Sequence, residues 1–140
     1  MKHLFTLIML LATCSASFAQ ATASTNQTIS VGAIATLELD LRAENIEIRP
    51  TKGSRVIIES HVTLEKVTNT SMLEYLIKAG RYELITNMDA SSKALSIQRK
   101  VNSNVILVKG QECTEKVRYV VLVPESIQTV KQNGTNTPVE

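Results

Sequence analysis

The sequence predicts a mainly β domain, either a twisted antiparallel sandwich or a β-solenoid, with one short helix over about residues 71–79. Three observations predict it. Apolar and polar residues alternate, as in Leu37, Leu39 and Leu41 against Glu38, Asp40 and Arg42, the mark of strands covered on one side. Turn residues recur roughly every ten positions, which favours layered or coiled strands over an α/β fold. The period becomes helical once, at Met72, Leu73, Leu76 and Ile77.

The chain opens with an export signal. Lys2 and His3 precede the apolar run Leu4 to Ala12, and Ser17-Phe18-Ala19 offers small residues at both positions a signal peptidase reads. The run is too short for a membrane span. Cleavage after Ala19 would leave a mature chain starting at Gln20, outside the cytoplasm in the periplasm or at the cell surface. Leu11-Ala12-Thr13-Cys14 is the alternative: in a lipobox the cysteine is lipidated, although Thr13 stands where glycine, alanine or serine is usual. The expected organisation is a signal peptide over 1–19, a flexible lead-in over 20–26, a single β-rich domain over 27–131 and a loose tail over 132–140.

Within the domain, Leu37 to Leu41 and Ile46-Ile48 read as strands, the second ending at Pro50. After the turn Thr51 to Ser54, a long strand runs from Arg55 to Lys66, with Val56, Ile58, Val62 and Leu64 on one face and Ser60 interrupting them. Ser71 and Glu74 have capping-box spacing at the helix start. Lys78 suits its last turn and Gly80 a left-handed stop. Strands resume at Tyr82, Leu84 and Met88, at Leu95 and Ile97, and at Val105 to Val108. The richest β segment is Lys116 to Val123, closed by Pro124, and Ile127 to Val130 reads as one more short strand. Val56, Ile58, Val62, Val117, Tyr119 and Val121 are the expected core.

Charge and cysteine content narrow the function. Beyond Ala19 the chain carries 14 Lys and Arg against 13 Asp and Glu, well interspersed. No basic stripe exists to neutralise several phosphates, so nucleic-acid binding is not expected. Only Cys113 and His61 remain of their kinds in the mature chain, so an intramolecular disulfide is impossible and stability must come from burial. Cys113 reads as a small buried apolar residue.

The middle of the chain resembles a family of exported bacterial auto-transporter adhesins with a head GIN domain. Leu37-Glu38-Leu39, Asn45-Ile46-Glu47-Ile48 and Gly53-Ser54-Arg55-Val56 are similar to that family's rung. Val117 to Pro124, followed by Val130 and Asn133-Gly134, is similar to its step into the next rung. The resemblance implies a β-solenoid or related β-rich fold, a cell-surface or periplasmic setting, and no catalytic residues. Glu44 departs from the usual glycine, the helix Ser71 to Ile77 reads as an insertion, and the family continues with further rungs beyond the point where this sequence ends. No internal repeat of fixed period is visible, whereas a solenoid needs at least about three.

No motif for chemistry emerges. The five glycines are scattered, so no phosphate loop forms. No histidine pair has metal spacing, and no nucleophile elbow is present. His61 shares a strand face with Glu59, an arrangement that orients an imidazole and is also ordinary for a half-exposed strand histidine. Glu38, Asp40, Glu44 and Glu47 would gather around calcium only if their strands stacked, and the oxygen-rich loops that bind calcium are missing. Three tyrosines and no tryptophan beyond the signal make a sugar-stacking platform poor. The expectation is therefore a non-catalytic exported module, structural, adhesive or partner-binding, with no cofactor or metal. Its partner would be an unidentified protein or envelope component, and it would meet a membrane only if Cys14 is lipidated. The alternative is a periplasmic small-ligand or lipid carrier with an apolar cavity between its layers.

Overall fold

Ten strands and one helix follow one another over residues 20–132, the span described by the structure, a computed structural model. The signal segment, Cys14 and the tail beyond Gln132 lie outside the described residues. The strands are β1 (Gln20–Ser30), β2 (Thr36–Asp40), β3 (Asn45–Thr51), β4 (Arg55–Glu65), β5 (Leu84–Asp89), β6 (Ala94–Arg99), β7 (Leu107–Val108), β8 (Gln111–Glu112), β9 (Glu115–Pro124) and β10 (Thr129–Gln132). The helix α1 spans Thr70–Lys78, between β4 and β5.

Two open four-stranded sheets face each other, in the orders β1-β4-β9-β3 and β10-β2-β6-β5, and β7-β8 forms a separate ribbon. This is the predicted β-rich sandwich with one helix, but its sheets are mixed rather than wholly antiparallel. β3 runs parallel to β9, and β10 and β6 run parallel to β2. For β3 and β10 the reason lies in two corners. Residues 41–44 and 125–128 carry the chain from one sheet to the other, so each strand enters its new sheet in the direction set by the crossing, as a solenoid coil does. The pairs β1–β4, β4–β9, β5–β6 and β7–β8 are antiparallel.

Strand parity builds the core. Val56, Ile58, Val62 and Leu64 of β4 and Tyr119 and Val121 of β9 are fully buried, as the alternation requires. Val117 is only half-buried. Leu37, Leu39, Leu95 and Ile97 oppose them from the second sheet and close the larger apolar cluster. A second cluster forms where the first sheet outruns the second. There Ala21, Val62 and Leu64 are covered by Leu73 of α1, by Tyr82 and by Ile106 and Cys113. α1 is thus a plug for uncovered sheet rather than an ornament on its surface.

Several local expectations change. Residues 20–26 are not a flexible lead-in but the first half of β1, paired along its whole length with β4. The helix begins at Thr70, and its cap is Asn69, whose Oδ1 accepts from Ser71 N at 2.9 Å; the Ser71–Glu74 box is not used. Gly80 has φ +75° and donates its N–H to the Ile77 carbonyl, ending the helix as expected. Pro50 does not stop β3, because β3 is an edge strand and an edge tolerates a missing N–H. Tyr82 lies before β5 rather than within it, and only Leu107–Val108 of the apolar run at 105–108 becomes strand.

Candidate functional site

A polar belt borders the second apolar cluster, with Glu115 of β9 opposite Leu64 of β4. Arg81, just after α1, donates from Nε and Nη2 to the two carboxylate oxygens of Glu115 at 3.2 and 3.0 Å, and from Nη2 to the Asn104 carbonyl at 2.8 Å. Asn102 returns a bond from Nδ2 to the Arg81 carbonyl at 2.7 Å. The pair is well shielded, with side-chain exposures of 13% and 16%. Burial alone would raise the Glu115 pKa. The Arg81 hydrogen bonds, the nearby Tyr82 hydroxyl and the charges of Arg81 and Arg99 outweigh it and hold the carboxyl below its ordinary value.

Two tyrosines converge on this belt. The hydroxyls of Tyr82 and Tyr119 are buried, and neither has a partner at hydrogen-bonding geometry among the described residues. Desolvation raises both pKa values, the neighbouring Glu115 carboxylate adding to the rise. Arg99 opposes that rise at Tyr119. Its own position is informative: it continues the inward row Leu95 and Ile97 to the end of β6, so a cation stands at the mouth of the core.

The belt opens into a cleft of about 570 Å³. β3 begins at Asn45 opposite Arg118, so Glu115 to Val117 of β9 have β4 on one side only. The corner at Arg42 to Glu44 arches over this free edge, with Arg42 in a left-handed conformation at φ 47°. The cleft therefore reaches both faces of β9. Arg99 enters from the core side, while Lys116, Arg118 and His61 stand on the outer face. A smaller adjoining cleft of about 200 Å³ shares Arg42 and Arg99 and adds Lys100. Arg42 is paired with Asp40 at 3.3 Å and Lys116 with Glu65 at 2.5 Å. Arg99 and Arg118 make no ion pair among the described residues.

The residues weighed from sequence do not assemble elsewhere. Cys113 is buried and donates from Sγ to the Glu65 carbonyl at 3.0 Å, with its pKa raised chiefly by desolvation. Glu38, Asp40 and Glu47 are each tied to a cation of their own: Lys131, Arg42 and Arg49. No cluster of three or more metal-type ligands occurs among the described residues. His61 Nε2 lies 3.8 Å from Glu59, as its spacing predicts, and its Nδ1 lies 2.9 Å from Ser24 Oγ on β1. This row has the composition of a hydrolase triad, but not its geometry. The glutamate is beyond hydrogen-bond distance, and Ser24 sits in a regular ladder whose pairing with β4 is unbroken, not on a strained turn beside free N–H donors.

Sequence reasoning missed the Arg81–Glu115 pair and the cationic cleft. One signal was available: Glu115 and Arg99 both fall at inward positions of their strands, where a charge needs a partner.

No family model matches the chain, and no curated protein matches it significantly. Two solved structures are similar. One is described as a "putative cell adhesion protein" from Clostridium sporogenes ATCC 15579, with a TM-score of 0.45 and 9% identity over 79% of this chain and 46% of that one. The other is described as a "putative adhesin" from Parabacteroides merdae ATCC 43184, with a TM-score of 0.37 and 12% identity over 81% of this chain and 36% of that one. The chain spans less than half the length of either structure.

Proposed function

We propose that this chain is an exported, non-catalytic β-rich module of the cell envelope, structural or adhesive in role, which holds an acidic group of its partner in the cationic cleft. The observation that carries this reading is the two arginines, Arg99 and Arg118, that line one cleft and make no ion pair among the described residues. A guanidinium bound bidentately to a carboxylate or sulfate makes a strong, directional contact. Glu44 and Glu115 in the same cleft limit the excess of positive charge, which suits a few acidic groups rather than a polyphosphate backbone. The carrier alternative is less well supported. The gap between the layers beside β1 and β5, about 300 Å³, is lined by Thr25, Gln27, Ser60 and Tyr82 among others, not by an aliphatic wall.

Calorimetric titration with polygalacturonate and dextran sulfate, against neutral dextran, tests the reading. Saturable binding to an acidic polymer, weakened at least about tenfold in Arg99→Gln/Arg118→Gln with the circular dichroism unchanged, is expected. Binding that ignores both substitutions would overturn the cleft assignment. An ester-hydrolysing activity abolished by Ser24→Ala would overturn the non-catalytic role.

A further inference from the structure

We infer that the β1/β5 side of the sandwich is a self-association surface, on which a second copy of this chain pairs antiparallel through β1. A sheet edge offers unpaired backbone donors and acceptors to any extended segment, and proteins normally blunt it with charge, proline or shortness. The two sides of this sandwich are treated differently. At the β3/β10 side, Thr51 turns its carbonyl toward the β9 end, where it accepts from Glu125 N at 3.1 Å. By alternation Pro50 then faces the open edge, where it has no N–H to offer. Glu47 and Arg49 add an ion pair on the same strand at 2.7 Å. β10 is four residues long and carries Lys131.

None of these devices protects β1. It is an edge strand of 11 residues without a charge, a proline or a break in its register with β4. No further strand pairs with it among the described residues. At about 3.3 Å per residue β1 is roughly 36 Å long, with α1 packed on the inner face of its Ala21–Ala23 end. β5 is the edge of the other sheet on this same side, since Gln27 Nε2 of β1 reaches the Leu84 carbonyl at 3.5 Å. β5 exposes two large apolar side chains, Ile85 at 54% on its outer face and Met88 at 51% on its inner face. A bare main-chain edge on β1 and a weakly covered edge strand β5 therefore lie on one side.

The composition of β1 selects a second copy as the occupant. A two-fold axis through Thr25 would pair Gln20 with Ser30 of the other copy and Thr22 with Thr28. Outward residues would then meet outward ones, and Ala21 would meet Ile29 on the inner row. Every such pair is neutral, so no like charges oppose each other, and Thr and Ser pairs across antiparallel strands are favourable. The pairing would join the two four-stranded sheets that contain β1 into one of eight strands.

Sedimentation equilibrium of the purified protein, from low micromolar to submillimolar concentration, tests this. A monomer–dimer equilibrium is expected. Thr22→Lys/Thr28→Lys sets lysines directly opposite each other across the axis and is expected to weaken dimerisation at least tenfold. Gln132→Lys on the guarded side leaves it unchanged. Thr25→Cys is expected to form an intermolecular disulfide under mild oxidation, a readout that stands even if the lysine variant folds poorly. A protein monomeric throughout, or a dimer indifferent to the lysines with no cross-link at Thr25→Cys, would overturn the inference.

Discussion

Replacing Arg81 with methionine removes the cation that holds Glu115 ionised beside the second apolar cluster. The arginine donates two hydrogen bonds to the carboxylate and one to Asn104 O, and both partners are largely shielded from water. Breaking a buried pair by removing one member costs about 3–5 kcal/mol, because the remaining charge is left without compensation. Methionine keeps the apolar stem packed, and both charges retain some solvent contact, so the lower end, about 3 kcal/mol, is expected. For a domain of this size that corresponds to a fall of roughly 10 °C in Tm. The pH dependence identifies the cause. In the native protein the Glu115 pKa lies below its ordinary value of 4.5. Its contribution to stability is therefore complete above that value and is lost as pH falls through the folded-state pKa. Without Arg81 the carboxyl protonates more readily and the penalty for burying it shrinks. Urea unfolding followed by far-UV circular dichroism should show the full loss at pH 7 and a smaller one as the pH is lowered below 4.5, with Glu115→Gln restoring part of the loss at pH 7. A loss within about 0.5 kcal/mol, the range of ordinary surface changes, or one that does not shrink with falling pH, would refute the reasoning.

Two further stability measurements probe other levels of the fold. Ile58→Ala and Val121→Ala each open a void at a fully buried position on neighbouring central strands, and denaturant unfolding should register losses of about 2–4 kcal/mol apiece; near-neutral results at both would mean that the sheet faces are reversed. Asn69→Ala deletes the observed helix cap and is expected to cost about 1 kcal/mol, whereas Ser71→Ala is expected to change the unfolding midpoint little. The reverse order would restore the Ser71 capping box.

What the sequence by itself determined is what depends on near neighbours. Period-two alternation placed β2, β4, β6 and β9 and their buried faces, because a side chain's face follows from its parity along a strand. Gly80 marked the end of α1, because only the local backbone decides whether a left-handed stop is needed. Capping was legible in kind but not in register: Asn69 and Ser71 can both cap, and the packing of Leu73 onto the first sheet chose where the helix begins. Other features depended on partners distant in the chain. β1 looks like loose polar sequence, since Thr, Ser and Asn carry little apolar pattern, yet the whole of β4 offers it a ladder. The direction of β3 and β10 came from the corners at 41–44 and 125–128, and no residue in those strands encodes parallel pairing. Arg42, Arg99 and Arg118 come from the first corner, β6 and β9, so their cleft has no sequence spacing to recognise. Only the closure of two sheets around one polar belt brings those charges together.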